Sequence, residues 1–166
     1  MDENGTQLMI VDGTYGYIFT YATNVLAQIT DVDFPAPGSV VFIDGYFVVN
    51  KVNSQSFYIS TLYNGTAWAA LDFASAESSP DNLLKVVNAI GQLWLFGTKT
   101  AEIWSNTGAV AFPFERISGG KMQVGIMAAN TAVAVDNSVI WVGQDAYGDG
   151  IVYRADGFTP IRISDD

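Results

Sequence analysis

The chain has 166 residues, of which 49% are hydrophobic, 13% aromatic and only 14% charged, and its formal net charge is −10. A chain of this length can bury about 70% of the surface that it exposes when unfolded, so a single domain with a substantial core is predicted. The absence of Cys and His excludes disulfides, thiolate and imidazole metal ligands, and any catalytic mechanism that needs a histidine base. No cofactor is predicted.

The charges are distributed unevenly along the chain. The first 50 residues hold six acids and no base, and the seven Lys and Arg residues that follow are well separated. Nucleic-acid binding depends on clustered basic side chains that neutralise phosphates, so no tight DNA binding is predicted. The acidic start is not followed by the apolar segment of a signal peptide, and no stretch is long and apolar enough to span a bilayer.

In chain order, the predicted elements are short strands separated by tight turns. The first group has three strands and lacks an opening strand, whereas the other three groups have four strands each. Asp44-Gly45 and Asn64-Gly65 are predicted hairpin turns, because these residues tolerate the positive φ angles that such turns need. The predicted strands are 7–11, 17–21 and 25–29; 39–43, 46–50, 57–60 and 67–71; 84–88, 92–96, 101–105 and 112–117; and 132–135, 138–142, 151–154 and 159–163.

The groups repeat with a fixed period. The sequence pattern of residues 91–97 recurs at residues 137–143, and that of residues 115–118 recurs at residues 161–164. Residues 45–49 match residues 91–95 in the same way, and the offset is 46 positions in all three cases. A period in the forties built from four short strands is typical of β-propeller blades. The sequence therefore predicts an all-β fold, a partial β-propeller of about three and a half four-stranded antiparallel blades. The predicted units are 1–34, 38–77, 83–118 and 126–166, within one domain that is a fragment of a longer protein.

Three connecting segments are also predicted. Pro35 and Pro37 mark a linker between the first two units, and Gly119-Gly120 marks another between the last two. A short helical turn is predicted at residues 79–82, with Ser79 as its cap and Pro80 at its first position.

Two acidic segments are candidate metal sites. Residues 145–150 (DAYGDG) alternate carboxylates with glycine as calcium loops do, but their spacing does not match an EF-hand, so a hairpin loop is favoured. Asp31 and Asp33 are interpreted as a solvated pair that initiates a turn. No metal ligand is assigned.

The tryptophans and the remaining acids are the other candidates for a binding or catalytic site. Residues 64–68 (NGTAW) are similar to a turn of sialidase-type propellers, but three Arg residues are too few for a sialidase site, so a hairpin with a buried Trp68 is favoured. Trp94 and Trp141 are predicted in the core, while a sugar-stacking role stays open for Trp68 and Trp104. A glycoside hydrolase needs two acids roughly 5–10 Å apart, and the acids considered are Asp145, Asp149 and Glu102. Residues 99–102 and Arg116 are predicted to be solvated strand edges, and no catalytic residue is assigned.

Six segments, in this order along the chain, resemble the phage packaged-DNA stabilisation family, whose members are tail accessory (hub) proteins of short-tailed bacteriophages. Family members are longer than this chain, so the resemblance is to an interior stretch. The matching segments are 7–13 (QLMIVDG), 42–47 (FIDGYF), 76–81 (AESSPD), 93–97 (LWLFG), 112–117 (FPFERI) and 150–155 (GIVYRA).

The resemblance implies a structural, non-enzymatic role in the virion tail, assembled in the host cytoplasm. Such hub proteins join below the portal and its adaptor ring after DNA packaging, help to close the channel, and carry the tail needle. Rings of six copies are expected of the family. The alternative function is a carbohydrate-binding propeller or a tail-fibre-like receptor-binding module.

Overall fold

The computed structural model describes residues 1–77, 80–144 and 148–164. Within these residues, sixteen strands form four antiparallel sheets, each a simple up-and-down meander of four consecutive strands. We call the sheets blades 1 to 4. Their strands are β1 (Asp2–Glu3), β2 (Gln7–Val11), β3 (Gly16–Thr20) and β4 (Val25–Gln28); β5 (Pro37–Ile43), β6 (Tyr46–Lys51), β7 (Ser56–Thr61) and β8 (Asn64–Ser75); β9 (Leu83–Ala89), β10 (Gln92–Gly97), β11 (Ala101–Asn106) and β12 (Phe114–Met122); and β13 (Val133–Val135), β14 (Ser138–Gln144), β15 (Gly150–Asp156) and β16 (Thr159–Arg162).

Blade 1 is complete, contrary to the prediction that it lacks its opening strand. The two residues of β1 pair with β2, and the Asp2 carboxylate accepts a hydrogen bond of 2.7 Å from the backbone N–H of Phe42 in blade 2. A strand of two residues carries no periodicity, so the sequence pattern could not indicate it.

The turns between the first and second strands repeat with the sequence period. Asp44-Gly45, Ile90-Gly91 and Asp136-Asn137 all have positive φ angles at both positions. Two-residue turns of this kind match the right-handed twist of the flanking strands. The predicted turn at Asn64-Gly65 is wrong by two residues, because both of these residues already belong to β8.

The three connecting segments differ from the predictions. Pro37 is the first residue of β5, and Gly119-Gly120 lies inside β12, where Gly119 adopts φ +76° and the pairing with β11 shifts register. The glycines therefore form a bulge, not a linker. Residues 80–82 are not helical, and Ser79 lies outside the described residues.

The blades stand face to face around a common axis. The first strands of successive blades, β1, β5, β9 and β13, contact one another, which places them innermost and the fourth strands at the rim. Three apolar clusters fill the spaces between adjacent blades. Representative buried members are Met9 and Phe47 between blades 1 and 2, Phe57 and Leu95 between blades 2 and 3, and Trp94 and Trp141 between blades 3 and 4.

Both tryptophans predicted in the core are there, with exposed fractions of 1% for Trp94 and 0% for Trp141.

No apolar cluster of the described residues joins blade 4 back to blade 1, so the four blades form an open arc. Within the described part of the chain, no helix has the length and apolarity needed to cross a membrane.

A buried polar bridge joins blades 2 and 3 near the axis. The Ser39 hydroxyl donates to Asn50 Oδ1 at 2.7 Å, and Asn50 Nδ2 donates to the Leu83 carbonyl at 3.0 Å. The Ser39 oxygen in turn accepts from the Val86 N–H at 2.9 Å. Because buried polar groups are costly when unpaired, this bridge fixes how the two sheets are placed against each other.

We expect Asn50→Ala to lower the free energy of unfolding by about 2–4 kcal/mol, because it leaves the buried Leu83 carbonyl and the Ser39 hydroxyl without their partner. The measurement is urea unfolding, in which the midpoint should fall while the slope stays constant.

Asn88→Ala is the matched control. Asn88 Nδ2 also donates to a carbonyl of the neighbouring blade, that of Phe42 at 2.9 Å, but Asn88 is exposed, so its loss should cost less than about 1 kcal/mol. Equal losses for the two variants would contradict the proposed importance of burial.

Candidate functional site

Glu102 is the sequence-predicted candidate whose surroundings differ most from expectation. The prediction of a solvated strand edge at residues 99–102 is wrong beyond Lys99, because Thr100, Ala101 and Glu102 are all buried. Trp104 Nε1 donates to Glu102 Oε2 at 2.9 Å, and Arg116 Nη1 lies 3.8 Å from Glu102 Oε1. The indole N–H of β11 and the guanidinium of β12 offset the cost of burying this carboxylate, the first by a hydrogen bond and the second by its charge.

A groove of about 320 Å³ lies at the rim between blades 2 and 3 and is lined by Ser75, Glu77, Glu102, Trp104 and Arg116. Trp104 is held in place by an edge-to-face contact with Phe57 of blade 2, with ring centroids 5.1 Å apart. The groove thus combines two carboxylates, one guanidinium, a hydroxyl and an aromatic ring. Such a set can bind a hydroxyl-rich ligand.

The other candidates are not brought into this groove. Asp149 is exposed in the connection between β14 and β15 of blade 4, whereas Glu102 belongs to β11 of blade 3. Asp145 lies outside the described residues, as does half of the candidate calcium loop, residues 145–147. Within the described residues, no group of three or more acids could hold a metal ion.

Trp68 is buried, with 5% of its surface exposed, and its Nε1 donates to the Gly65 carbonyl at 2.9 Å. Of the favoured interpretation of residues 64–68, a hairpin turn with a buried tryptophan, the burial of Trp68 is confirmed and the position of the turn is wrong. Asp31 initiates a turn as interpreted, since its carboxylate accepts from the backbone N–H of Asp33 at 3.0 Å, but Asp31 and Asp33 are half-buried and not solvated. The Asp31 carboxylate also accepts from the backbone N–H of Trp68 at 3.0 Å. These two bonds lower the pKa of Asp31.

A second groove, of about 450 Å³, lies at the axis and is lined by the innermost strands of all four blades. Its walls are mainly valine and alanine, with the Lys85 ammonium and the Asp2 carboxylate as the charged side chains among the lining residues. Burial lowers the pKa of Lys85. Wide apolar walls with one base do not form the kind of cluster that binds phosphates.

Asp81 is a residue that the sequence analysis placed in a helical turn and otherwise overlooked. Its carboxylate is buried and accepts five hydrogen bonds from the hairpin between β10 and β11: from the backbone N–H groups of Thr98, Lys99 and Thr100 at 2.7–2.8 Å, and from both threonine hydroxyls. A Cβ on Gly97 would lie 2.3 Å from Asp81 Oδ2, so glycine is required there. The Thr-Lys-Thr sequence of the hairpin, rich in hydroxyls, is the signal that could have indicated this carboxylate clamp.

The family model described as Phage_stabilise (Bacteriophage P22 Gp10, beta-propeller) matches residues 1–166, the full length of the chain. The chain belongs to this family. The family name identifies a phage packaged-DNA stabilisation protein with a β-propeller fold, which agrees with the four observed sheets. The resemblance and the fold predicted from the sequence are both confirmed.

One further comparison bears on the fold. The extracellular domain of the hybrid two-component system BT4673 from B. thetaiotaomicron is similar in structure, with a TM-score of 0.65 and 12% sequence identity. The likeness covers 100% of this chain but only 22% of that one, and at this identity it concerns the fold alone. A comparison with curated proteins gives no match.

We expect Asp81→Asn to destabilise the chain by about 2–4 kcal/mol, because it removes a charged acceptor and sets an amide N–H₂ against N–H donors. The effect should depend on pH. Burial acts to raise the pKa of Asp81, but the hydrogen bonds from Thr98, Lys99 and Thr100 outweigh it, so the pKa is lowered. Its stabilisation is therefore complete above the unfolded pKa of about 3.9 and is lost as pH falls through the folded pKa.

The measurement is the urea midpoint between about pH 6 and pH 3. The wild type should lose stability on acidification more steeply than Asp81→Asn. Asp44→Asn is the matched control, because Asp44 is exposed in a turn at φ +50°, which asparagine also adopts. An Asp81→Asn curve parallel to that of the wild type would contradict the clamp.

Proposed function

We propose that this chain acts in the phage tail as a structural plug, which helps to close the portal channel and retain packaged DNA without catalysing a reaction. The observation that carries the proposal is the family match over residues 1–166. Its partners would be other tail proteins, namely the adaptor ring below the portal and the tail needle, with six copies of the parent protein in a ring. It would reach the virion by assembly in the host cytoplasm.

The mechanism that we propose is occlusion without adhesion. Packed sheets with three apolar clusters between them provide a rigid body. The net charge of −10 and the scattered bases give DNA no surface to grip. A plug of this chemistry resists the pressure of the genome and does not hinder its later exit.

The role is tested with DNA-filled phage heads assembled without this protein. Adding the purified chain should reduce the amount of DNA that becomes accessible to nuclease, in proportion to the number of heads occupied. Asp81→Asn, tested at a temperature at which it is unfolded, is the control for nonspecific protein effects. DNA loss that is unaffected by the folded chain would contradict the proposal.

The absence of adhesion has its own readout, a gel-shift titration at low salt. The wild type should give no shift at micromolar concentration, since weak nonspecific binding is the limit for a chain without basic clusters. A variant with Glu77, Glu115 and Asp156, all exposed, changed to Lys has a net charge of −4, because each substitution adds two to −10. It should bind more tightly, and salt should weaken its binding. Micromolar or tighter binding by the wild type would contradict occlusion without adhesion.

A carbohydrate-binding function is the second candidate, and the rim groove with Trp104 is the observation that favours it. Trp68 is buried and is not available for stacking. If this candidate is right, a glycan array should give a clear signal that Trp104→Ala removes while Trp68→Phe keeps it. An array without signal for the folded wild type would eliminate it.

The same groove holds Glu77 and Glu102, so release of reducing sugar from any bound glycan would indicate hydrolysis.

A further inference from the structure

One end of the arc carries exposed apolar side chains in its turns. Because each blade is an up-and-down meander, the turns between its first and second strands and between its third and fourth strands lie at the same end. We call this the apolar end, because its turns hold four large apolar side chains that are each more than half exposed: Leu62, Tyr63, Ile90 and Val110.

Two of these residues, Tyr63 of blade 2 and Ile90 of blade 3, belong to one surface. Asn88, two residues before Ile90, donates to the Phe42 carbonyl at 2.9 Å. The Phe42 ring in turn lies 6.1 Å from the Tyr63 ring, measured between centroids. Exposed apolar residues that are grouped in this way, and not scattered singly, are typical of an interaction surface.

The backbone of Tyr63 and Ile90 is in a conformation that suits neither residue. Their φ angles are +55° and +57°, in the left-handed region that bulky and above all β-branched residues avoid and that Asn, Asp and Gly adopt readily. Residues 44 and 136, which lie 46 positions before and after Ile90, are both Asp. The repeat thus shows which residue the turn favours. A strained exposed isoleucine in its place is typical of a functional position.

Ile90 also lines a groove of about 240 Å³ between the first turns of blades 3 and 4. Ala89 and Val135 contribute further apolar lining, and Asp136 is the charged side chain among the lining residues. A groove with apolar walls and one exposed carboxylate fits a Lys or Arg side chain, whose methylene groups pack on apolar surface while its charged group pairs with the carboxylate.

The charges at the apolar end determine the class of partner. Among the described residues, the turns at this end contain two acids, Asp44 and Asp136, and no Lys or Arg, whereas Lys51 and Lys99 lie at the opposite end. Nucleic acid and anionic lipid are therefore repelled, and two apolar ends brought together would place acids against acids. Charge complementarity favours a protein surface with basic and apolar side chains. The turns concerned are 4–6, 21–24, 44–45, 62–63, 90–91, 107–113, 136–137 and 157–158.

We propose that the apolar end docks a neighbouring protein of the phage tail, whose Lys or Arg side chain enters the groove between Ile90 and Asp136 and whose apolar side chains contact Tyr63 and Ile90. The source of this partner rests on the proposed function. Further blades of a longer protein would not take its place, because blades pack face to face around the axis. Such blades would continue the arc beside blades 1 and 4 and leave this end open.

The first test is Ile90→Asn, which removes the strain and the apolar side chain together. Its urea midpoint should equal or exceed that of the wild type, because asparagine tolerates positive φ. Its binding to DNA-filled heads assembled without this protein, measured by co-sedimentation of the labelled chain, should weaken at least about 10-fold. A lower midpoint with unchanged binding would show that Ile90 serves the fold, and would overturn the proposal.

The second test is Asp136→Asn, which keeps a residue that adopts the turn and removes the carboxylate. Its binding to the same heads should weaken at least about 10-fold, and salt should affect the remaining binding less than it affects that of the wild type. Val32→Asn and Asp12→Asn are the matched controls, because both residues are exposed in connections at the opposite end. Both controls should bind as the wild type does.

The outcomes separate the docking surface from the plugging role. Equal binding by the wild type and all four variants would overturn the docking surface while leaving the plugging role intact. A wild type that binds the heads without reducing DNA loss would contradict the plugging role alone, and one that does not bind would contradict both. Native mass spectrometry that shows self-association of the wild type, lost in Ile90→Asn and Asp136→Asn, would identify a second copy as the occupant and overturn the proposal.

Discussion

Coverage of the inner sheets, blades 2 and 3, on both faces is the constraint on which this structure depends. In β6, Phe47, Val48 and Val49 are all completely buried, although alternate side chains point to opposite faces. A lone sheet of four short strands would expose both of these faces to water. Face-to-face packing of the repeats removes both faces from water. The same packing places the first strands at the axis and leaves grooves at the rim and at the centre.

Polar side chains determine the geometry that apolar packing alone leaves free. Asn50 lies at the repeat position held by Phe96 in blade 3, where the cluster is wholly apolar. In blade 2 it bridges to the next sheet by hydrogen bonds, which are directional and therefore specify how the two sheets are placed. Asp81 does the same for the segment that leads into blade 3, since its carboxylate is fixed to a hairpin.

The sequence predicted what depends on periodicity and missed what depends on single contacts. Strand positions, the turn at Asp44-Gly45, and the core positions of Trp94 and Trp141 follow from local pattern, and the structure has them. Burial of Glu102 could not be predicted, because it depends on how the Trp104 indole of the same strand and the Arg116 guanidinium of the neighbouring strand are placed against the carboxylate. For the same reason Gly119-Gly120 looked like a linker, although its pairing partner makes it a bulge.

The hydrogen-bond partners of three acidic side chains tie these side chains to the fold. Asp31, Asp81 and Glu102 attract attention in a sequence that lacks histidine and cysteine. Asp31 and Asp81 accept backbone N–H bonds that fix turns, and Glu102 accepts from Trp104 and faces Arg116. Carboxylates held in this way are stable acceptors whose hydrogen-bonding capacity serves the fold. General acid–base work needs a carboxyl that exchanges its proton with a substrate, so the same bonds that make the arc rigid make these acids poor candidates for catalysis.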